Sequence, residues 1–192
     1  MKVENILIVG VGGQGSLLAS KLLGRLFMMH DYDVKVNEVH GMSQRGGSVV
    51  TTVKGGKRVD SPLVVPGECD LLIALEQLEA YRWAHYLRPE GTLVASSQQI
   101  YPMPVIMGRE AYPEDIPAAL PDALKSYWVD ALTLAQQAGS ARCANVVMLG
   151  AASRFMDFSS LEWTQALAES LPQKVAGMNM TAFELGRTVK LG

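Results

Sequence analysis

Cysteine is almost missing from this 192-residue sequence: Cys69 and Cys143 are its only two, and they lie far apart. An iron–sulfur cluster typically takes four thiolates, and a four-thiolate zinc site as many, so the chain provides neither alone. Two buried, reduced thiols are the expected state, and no metal site is expected. A basic excess is missing too. Lys and Arg total 17 against 19 Asp and Glu, which removes the global positive charge of a nucleic-acid binder. No apolar run reaches the roughly 18 residues that cross a bilayer; the longest, Ala144 to Ala152, has the length of a buried helix. The N-terminal apolar run, Ile6 to Val9, is ended at once by glycines and carries no cleavage pattern, so a cytoplasmic chain without membrane attachment is expected. The nucleophile elbow G-x-S-x-G and the phosphate loop G-x-x-x-x-G-K-[ST] are both absent. His30 and His85 fall in or beside predicted helices with no spaced ligand partner, as surface or cap residues do.

What is present suits a globular α/β chain. Hydrophobic residues make up 48% and charged ones 19%, enough apolar surface for a sizeable core. Ile6 to Val9 is a continuous β-branched run, as a parallel strand buried on both faces requires. Ser16 to Met29 follows, with Leu18, Leu22 and Leu26 at helical spacing and Lys21 and Arg25 on another face. Asp33 to Val39 reads as the second strand and Ser48 to Lys54 as a third, with Gly55-Gly56 as a hairpin turn into Lys57 to Asp60. Asp70 to Leu75 is another buried strand. A helix from about Glu76 to Leu87 follows, then a turn at Pro89-Glu90-Gly91 and a strand over Thr92 to Ala95. Gln98 to Pro121 holds most of the prolines and reads as an excursion with a strand near Pro104 to Met107. Tyr127 to Val129 is read as the last strand; helices cover Ala144 to Phe155, Leu161 to Leu171 and Thr181 to Lys190. No linker or repeat divides the chain. The expectation is one domain over residues 1–192, a Rossmann-like α/β three-layer sandwich with a mostly parallel sheet and a helical C-terminal segment.

Two loops carry the chemistry. Gly10-Val11-Gly12-Gly13-Gln14-Gly15 follows the first strand and opens the first helix, so Gly10, Gly12 and Gly15 satisfy G-x-G-x-x-G in its meaningful context. Glycine allows the tight turn and the approach of a phosphate, while the helix N-terminus offers unpaired N–H groups and partial positive charge. Gly10, Gly12, Gly13, Gln14 and Gly15 are the candidate cofactor-binding residues. A ligand-free strand-to-helix connection is equally compatible with these residues. Glu38 lies where a dinucleotide fold places its ribose-binding acid.

After Glu38, however, Val39-His40-Gly41-Met42-Ser43-Gln44-Arg45-Gly46-Gly47 is a dense polar loop at a strand end. Arg45 could grip a phosphate or carboxylate. His40 could exchange a proton near neutral pH. Glu38, His40, Ser43, Gln44 and Arg45 are the site-completing candidates, and neighbouring first and second strands would set them beside the glycine turn. The bland alternative is a solvated loop.

G-V-G-G-Q-G after the first strand together with E-V-H-G-M-S-Q-R-G-G after the second resembles the gamma subunit family of pyruvate and other 2-oxoacid:ferredoxin oxidoreductases, in particular its indolepyruvate-type small (beta) subunits. Cys69 to Ile73 with Glu76, Gly91, Asn145 to Gly150 and Ala182 to Gly186 are further shared features. The resemblance implies a subunit of an enzyme that oxidatively decarboxylates a 2-oxoacid to an acyl-coenzyme A and reduces ferredoxin. It also implies a larger partner carrying thiamine diphosphate and 4Fe–4S clusters, with coenzyme A as substrate and the loop Glu38 to Gly47 facing the shared site or the coenzyme A path. On that implication this chain binds no cofactor by itself, and the isolated chain is inactive; whether it forms a homodimer alone stays open. The competing expectations are a stand-alone NAD- or FAD-dependent enzyme using Gly10 to Gly15 and Glu38, and a nucleotide-binding module without catalysis. A stand-alone dehydrogenase would need a substrate domain for which too few residues remain.

Overall fold

The computed structural model describes residues 4–40 and 47–191. Six strands form one sheet in the order β2-β3-β1-β4-β5-β6: β1 (Glu4–Val11), β2 (Asp33–His40), β3 (Ser48–Gly56), β4 (Cys69–Ala74), β5 (Leu87–Ser96) and β6 (Lys125–Val129). The pairs β1–β4, β4–β5 and β5–β6 are parallel, whereas β3 runs antiparallel to both β1 and β2. The apolar run of β1 is split by the strand alternation. Ile6 and Ile8 enter the core on one face of the sheet; Leu7 and Val9 enter the core on the other.

The first face is covered by α1 (Ser16–Met29), α5 (Ala131–Ala138), α6 (Ala144–Ala152), α7 (Ser160–Ser170) and α8 (Gln173–Thr188). In α1 the buried stripe is Ala19, Leu22, Leu23, Leu26 and Phe27, and Arg25 on the outer side pairs with Glu169 of α7 at 2.8 Å. Phe27, Phe158, Trp163 and Phe183 form a chain of ring contacts beneath these helices. Ser159 and Glu162 close a reciprocal cap at the start of α7. These hydrogen bonds hold the Glu162 carboxyl below its usual range. The second face is thinner: α2 (Gln77–Trp83) supplies Ala80, and the chain around Val64 and Leu120 completes the core. Among the described residues no helix is long and apolar enough to cross a membrane.

Four sequence expectations are corrected. β3 stands between β1 and β2, so the first two strands are not neighbours. Gly55 and Gly56 make no hairpin turn. Both stay in β3, paired with Val34 and Asp33 of β2, and Gly55 is glycine because a Cβ there would enter the ring of Phe27. The stretch Pro104 to Met107 is not a strand; Met103–Ile106 is a single helical turn, α3, and Ile116–Ala119 is another, α4. Prolines at the first helical positions favour that outcome over pairing, since they lack an N–H to donate. Finally, Pro89-Glu90-Gly91 is no separate turn. It lies within β5 as an irregularity, the register passing from Cys69↔Leu87 to Leu71↔Thr92.

Candidate functional site

Local geometry explains every residue of the glycine turn. A Cβ on Gly10 would stand 2.7 Å from Gln14 Oε1 and 3.0 Å from Leu75 Cβ, so the turn closes only on glycine. Gly15 has φ of +84° and is followed by α1 without a side-chain cap, which leaves the first N–H groups of the helix to a ligand or solvent. Gln14 points inward. Its Oε1 accepts from Val11 N at 2.7 Å, and its Nε2 donates to the Leu75 carbonyl at 2.8 Å and to Gln98 Oε1 at 3.1 Å. The amide oxygen thus closes the turn on Val11, while the amide nitrogen joins the turn to the residues that follow β4 and β5. Gly12 N donates to Gly47 O at 3.0 Å, which ties the turn to the start of β3.

The second group of sequence candidates is placed in part. Glu38 Oε1 accepts from Ser16 Oγ at 3.2 Å, bringing the end of β2 to the first residue of α1 despite the strand between them. His40 ends β2, paired with Val49. Ser43, Gln44 and Arg45 lie outside the described residues.

At the C-terminal edge of the parallel strands a crevice of about 440 Å³ opens beside the turn, where binding sites of open α/β sheets form. Gly13 and Gly15 line one wall, Ser96 and Gln98 another, and Arg142, Asn145 and Met148 a third. Asn145 Nδ2 donates to Gly15 O at 3.1 Å, so the start of α6 is fastened to the start of α1. Three helical segments begin here: α1 after Gly15, α5 after Asp130, and the 141–143 turn leading into α6. Of these, the start of α1 alone has no side-chain cap, since Asp130 caps α5 at Thr133 N and Ser140 caps the 141–143 turn at Arg142 N. It and Arg142 line one space floored by Leu75, Leu132 and Met148. Such a place suits a ligand with an anionic end and an apolar or flat body. The sequence reading passed over Arg142, Ser96 and Gln98. The rule that sites gather where strands end would have found Ser96 and Gln98, had it been applied to β5 as well as to β1 and β2; Arg142, beyond α5, follows no strand end.

Beside the crevice stand two buried carboxylates at the start of α2. Glu76 is 1% exposed and caps α2 by accepting from Glu79 N; it also accepts from Ile100 N at 3.1 Å and from Tyr112 Oη at 2.6 Å. Burial, and then the Glu76 carboxylate, push the Tyr112 phenol above its usual range. Glu79 is 2% exposed, pairs with Arg82 at 2.7 Å and accepts from Ser48 Oγ.

The fold recurs in known proteins. The family model of pyruvate ferredoxin/flavodoxin oxidoreductase matches residues 5–189. The chain belongs to that family. Among curated members, indolepyruvate oxidoreductase subunit IorB of Thermococcus kodakarensis is 38% identical, the match covering 97% of this chain and 95% of that one. Among solved structures, the keto/oxoacid ferredoxin oxidoreductase gamma subunit of Geobacter sulfurreducens superposes with a TM-score of 0.73 at 23% identity, over 95% of both chains. A 2-oxoglutarate:ferredoxin oxidoreductase of Magnetococcus marinus, solved with 2-oxoglutarate, coenzyme A and succinyl-CoA bound, superposes at 0.75 and 19% identity. That match covers 97% of this chain and 31% of the longer one.

This family member does not carry the donors for a cluster. Cys69 belongs to the core on one face of the sheet and Cys143 to the core on the other, so the two thiols cannot meet at one metal. Both are free and buried. Burial pushes the Cys69 thiol up to about 12 and raises that of Cys143, the reverse of what a ligating thiolate needs. No group of three or more His, Cys, Asp or Glu side chains is placed to hold a metal ion among the described residues.

Proposed function

We propose that this chain is the small subunit of a 2-oxoacid:ferredoxin oxidoreductase of the indolepyruvate type, acting in the cytoplasm as one folded unit with a larger partner. The reaction consumes a 2-oxoacid, coenzyme A and two oxidised ferredoxins. It yields an acyl-coenzyme A, carbon dioxide, two reduced ferredoxins and a proton. Thiamine diphosphate on the partner supplies the electron sink for decarboxylation, and its clusters relay the electrons.

This chain contributes the crevice. Its carrying observation is the uncapped start of α1 together with Arg142 on the space beside Gly13 and Gly15. The phosphate end of coenzyme A fits there: backbone N–H groups after Gly15 donate to it and Arg142 pairs with its charge. The apolar floor of Leu75, Leu132 and Met148 lies against the remainder of the ligand. Gln14 and Asn145 hold the walls and touch the ligand little, since their amides are engaged internally. We assign Glu38, His40, Ser43, Gln44 and Arg45 the role of completing the site together with the partner. A dinucleotide is disfavoured, because β3 stands between β1 and β2 and the Glu38 carboxylate that would take the ribose is engaged by Ser16 Oγ at 3.2 Å.

Reconstitution with the partner tests this. Arg142→Ala should raise KM for coenzyme A by about tenfold or more, the worth of one charge-assisted hydrogen bond, while KM for the 2-oxoacid stays put. An unchanged KM for coenzyme A would remove the crevice from the reaction. Turnover by the isolated chain would remove the division of labour.

A further inference from the structure

The glycine turn is held from outside by a side chain that contacts no substrate, and we propose that Glu79 is this positioning residue. The inference rests on the reading of the crevice given above and extends it one layer outward. The connection runs through four residues. Gly12 N donates to the carbonyl of Gly47 at 3.0 Å. Gly47 is followed by Ser48, whose backbone pairs with Val11 of β1 and whose hydroxyl donates to Glu79 Oε2. Glu79 is fixed in turn: its other oxygen takes Arg82 Nη1 at 2.7 Å, and its own N–H is held by Glu76 at 2.9 Å.

Physical reasons make this more than a surface contact. Ser48 opens β3 and is exposed. It pairs with Val11 of β1 but lies beyond the β2 ladder, which ends at His40↔Val49, so one backbone ladder alone fixes this strand end. Glu79 is 2% exposed, and a carboxylate that deep is retained only when its oxygens are matched. Here one oxygen is matched by a guanidinium and the other by Ser48. The same first turn of α2 also holds the opposite wall. Gln77 N donates to Gln98 O at 3.0 Å, and Gln98 accepts from Gln14 at 3.1 Å. The start of α2 therefore clamps both supports of the turn, Ser48 on one side and Gln98 on the other, with Glu79 as the charged member of the clamp.

Two readouts test it. In the full chain, amide hydrogen exchange at Gly12 should quicken about tenfold or more in Ser48→Ala and in Glu79→Gln, and Ser48→Thr, which keeps the hydroxyl, should restore the slow rate. In the assembled enzyme, KM for coenzyme A should rise about tenfold in Ser48→Ala, with kcat changed less, and Ser48→Thr should bring it back. Ser48→Ala is the decisive variant, since it deletes one exposed hydroxyl and leaves the Glu79–Arg82 pair intact; Glu79→Gln supports it. Unchanged exchange at Gly12 in Ser48→Ala overturns the positioning role. Equal behaviour of the alanine and threonine variants overturns it as well. Faster exchange with an unmoved KM keeps the latch and sinks the reading of the crevice as the coenzyme A site.

Discussion

Two glycines of the same helix should respond to alanine with opposite signs. Gly177 and Gly186 both lie in α8, and helix propensity alone favours alanine at each by about 1 kcal/mol. At Gly177 a Cβ meets nothing within 4 Å, so Gly177→Ala should realise most of that gain, about 0.5–1 kcal/mol. At Gly186 a Cβ would run into the carbonyl oxygen of Val147 on α6, with the carbonyl carbon at 2.8 Å and Cα at 3.0 Å. Gly150 meets α8 in the same manner, its Cβ directed at Phe183 O and 2.9 Å from Arg187 N. The helices touch backbone to backbone, and ordinary carbon contacts of about 3.5–4.0 Å would require α8 to retreat by roughly 1 Å.

That retreat loosens the contacts of Phe183, Ala182, Val147 and Ala151, all nearly inaccessible. Overpacking of this kind costs about 1–3 kcal/mol and occasionally more, which outweighs the propensity gain. The clash falls on backbone atoms, which puts the cost toward the upper end, about 2–3 kcal/mol. Gly186→Ala should therefore lose about 1–2 kcal/mol net, or roughly 2–8 °C in Tm for a chain of this length, whereas Gly177→Ala gains roughly 1–4 °C. Thermal and urea unfolding of the purified chain measures both. A Gly186→Ala variant as stable as the natural chain would refute the backbone-contact reasoning. Because Asn145 at the head of α6 is fastened to Gly15, a displaced α6 should also weaken coenzyme A binding in the assembled enzyme.

The isolated chain should be colourless and inactive in 2-oxoacid oxidation with ferredoxin or a viologen dye; a brown protein with about four irons per chain would contradict this. NAD and NADP should bind weakly or not at all by titration calorimetry, a Kd near 1 µM being the refuting result. Arg45→Ala should assemble normally and lower turnover by about a hundredfold, with His40→Ala altering the pH profile; full activity in both assembled variants would make the loop a mere surface. Burial, then Asp70 and Asp157, push the Glu4 carboxyl from 4.5 up to about 7. The folded chain holds this proton more tightly than the unfolded one, so stability should fall as pH rises from 4.5 through 7, and Glu4→Gln should flatten that slope in urea titrations.

Strong local signals made the glycine turn and most elements legible from sequence. The run Ile6 to Val9, the leucines of α1 and the glycines at 10, 12 and 15 each point to one local structure, and each is found there. The place of β3 was hidden because pairing partners are chosen by the whole sheet. Ser48 to Lys54 announces a strand but not that it enters antiparallel between β1 and β2. Helix α5 was missed because its eight residues span barely two turns of periodicity, although Asp130 caps it at Thr133 N and Gly139 ends it. Arg142 was passed over for a related reason: nothing local distinguishes it from a surface arginine, and only the packing of α6 against α1 turns it to the crevice.

The two secluded thiols have a practical consequence. With Cys69 pushed up to about 12 and Cys143 also raised, almost no thiolate exists near neutral pH, and alkylating reagents attack thiolates. The natural chain is therefore a quiet background for chemistry aimed at an introduced cysteine. A single cysteine at exposed Lys174, away from the crevice and from Ser48, would take a maleimide fluorophore or spin label without removal of either native thiol. The distance between such a label and the clusters proposed for the partner could then be followed while the enzyme turns over.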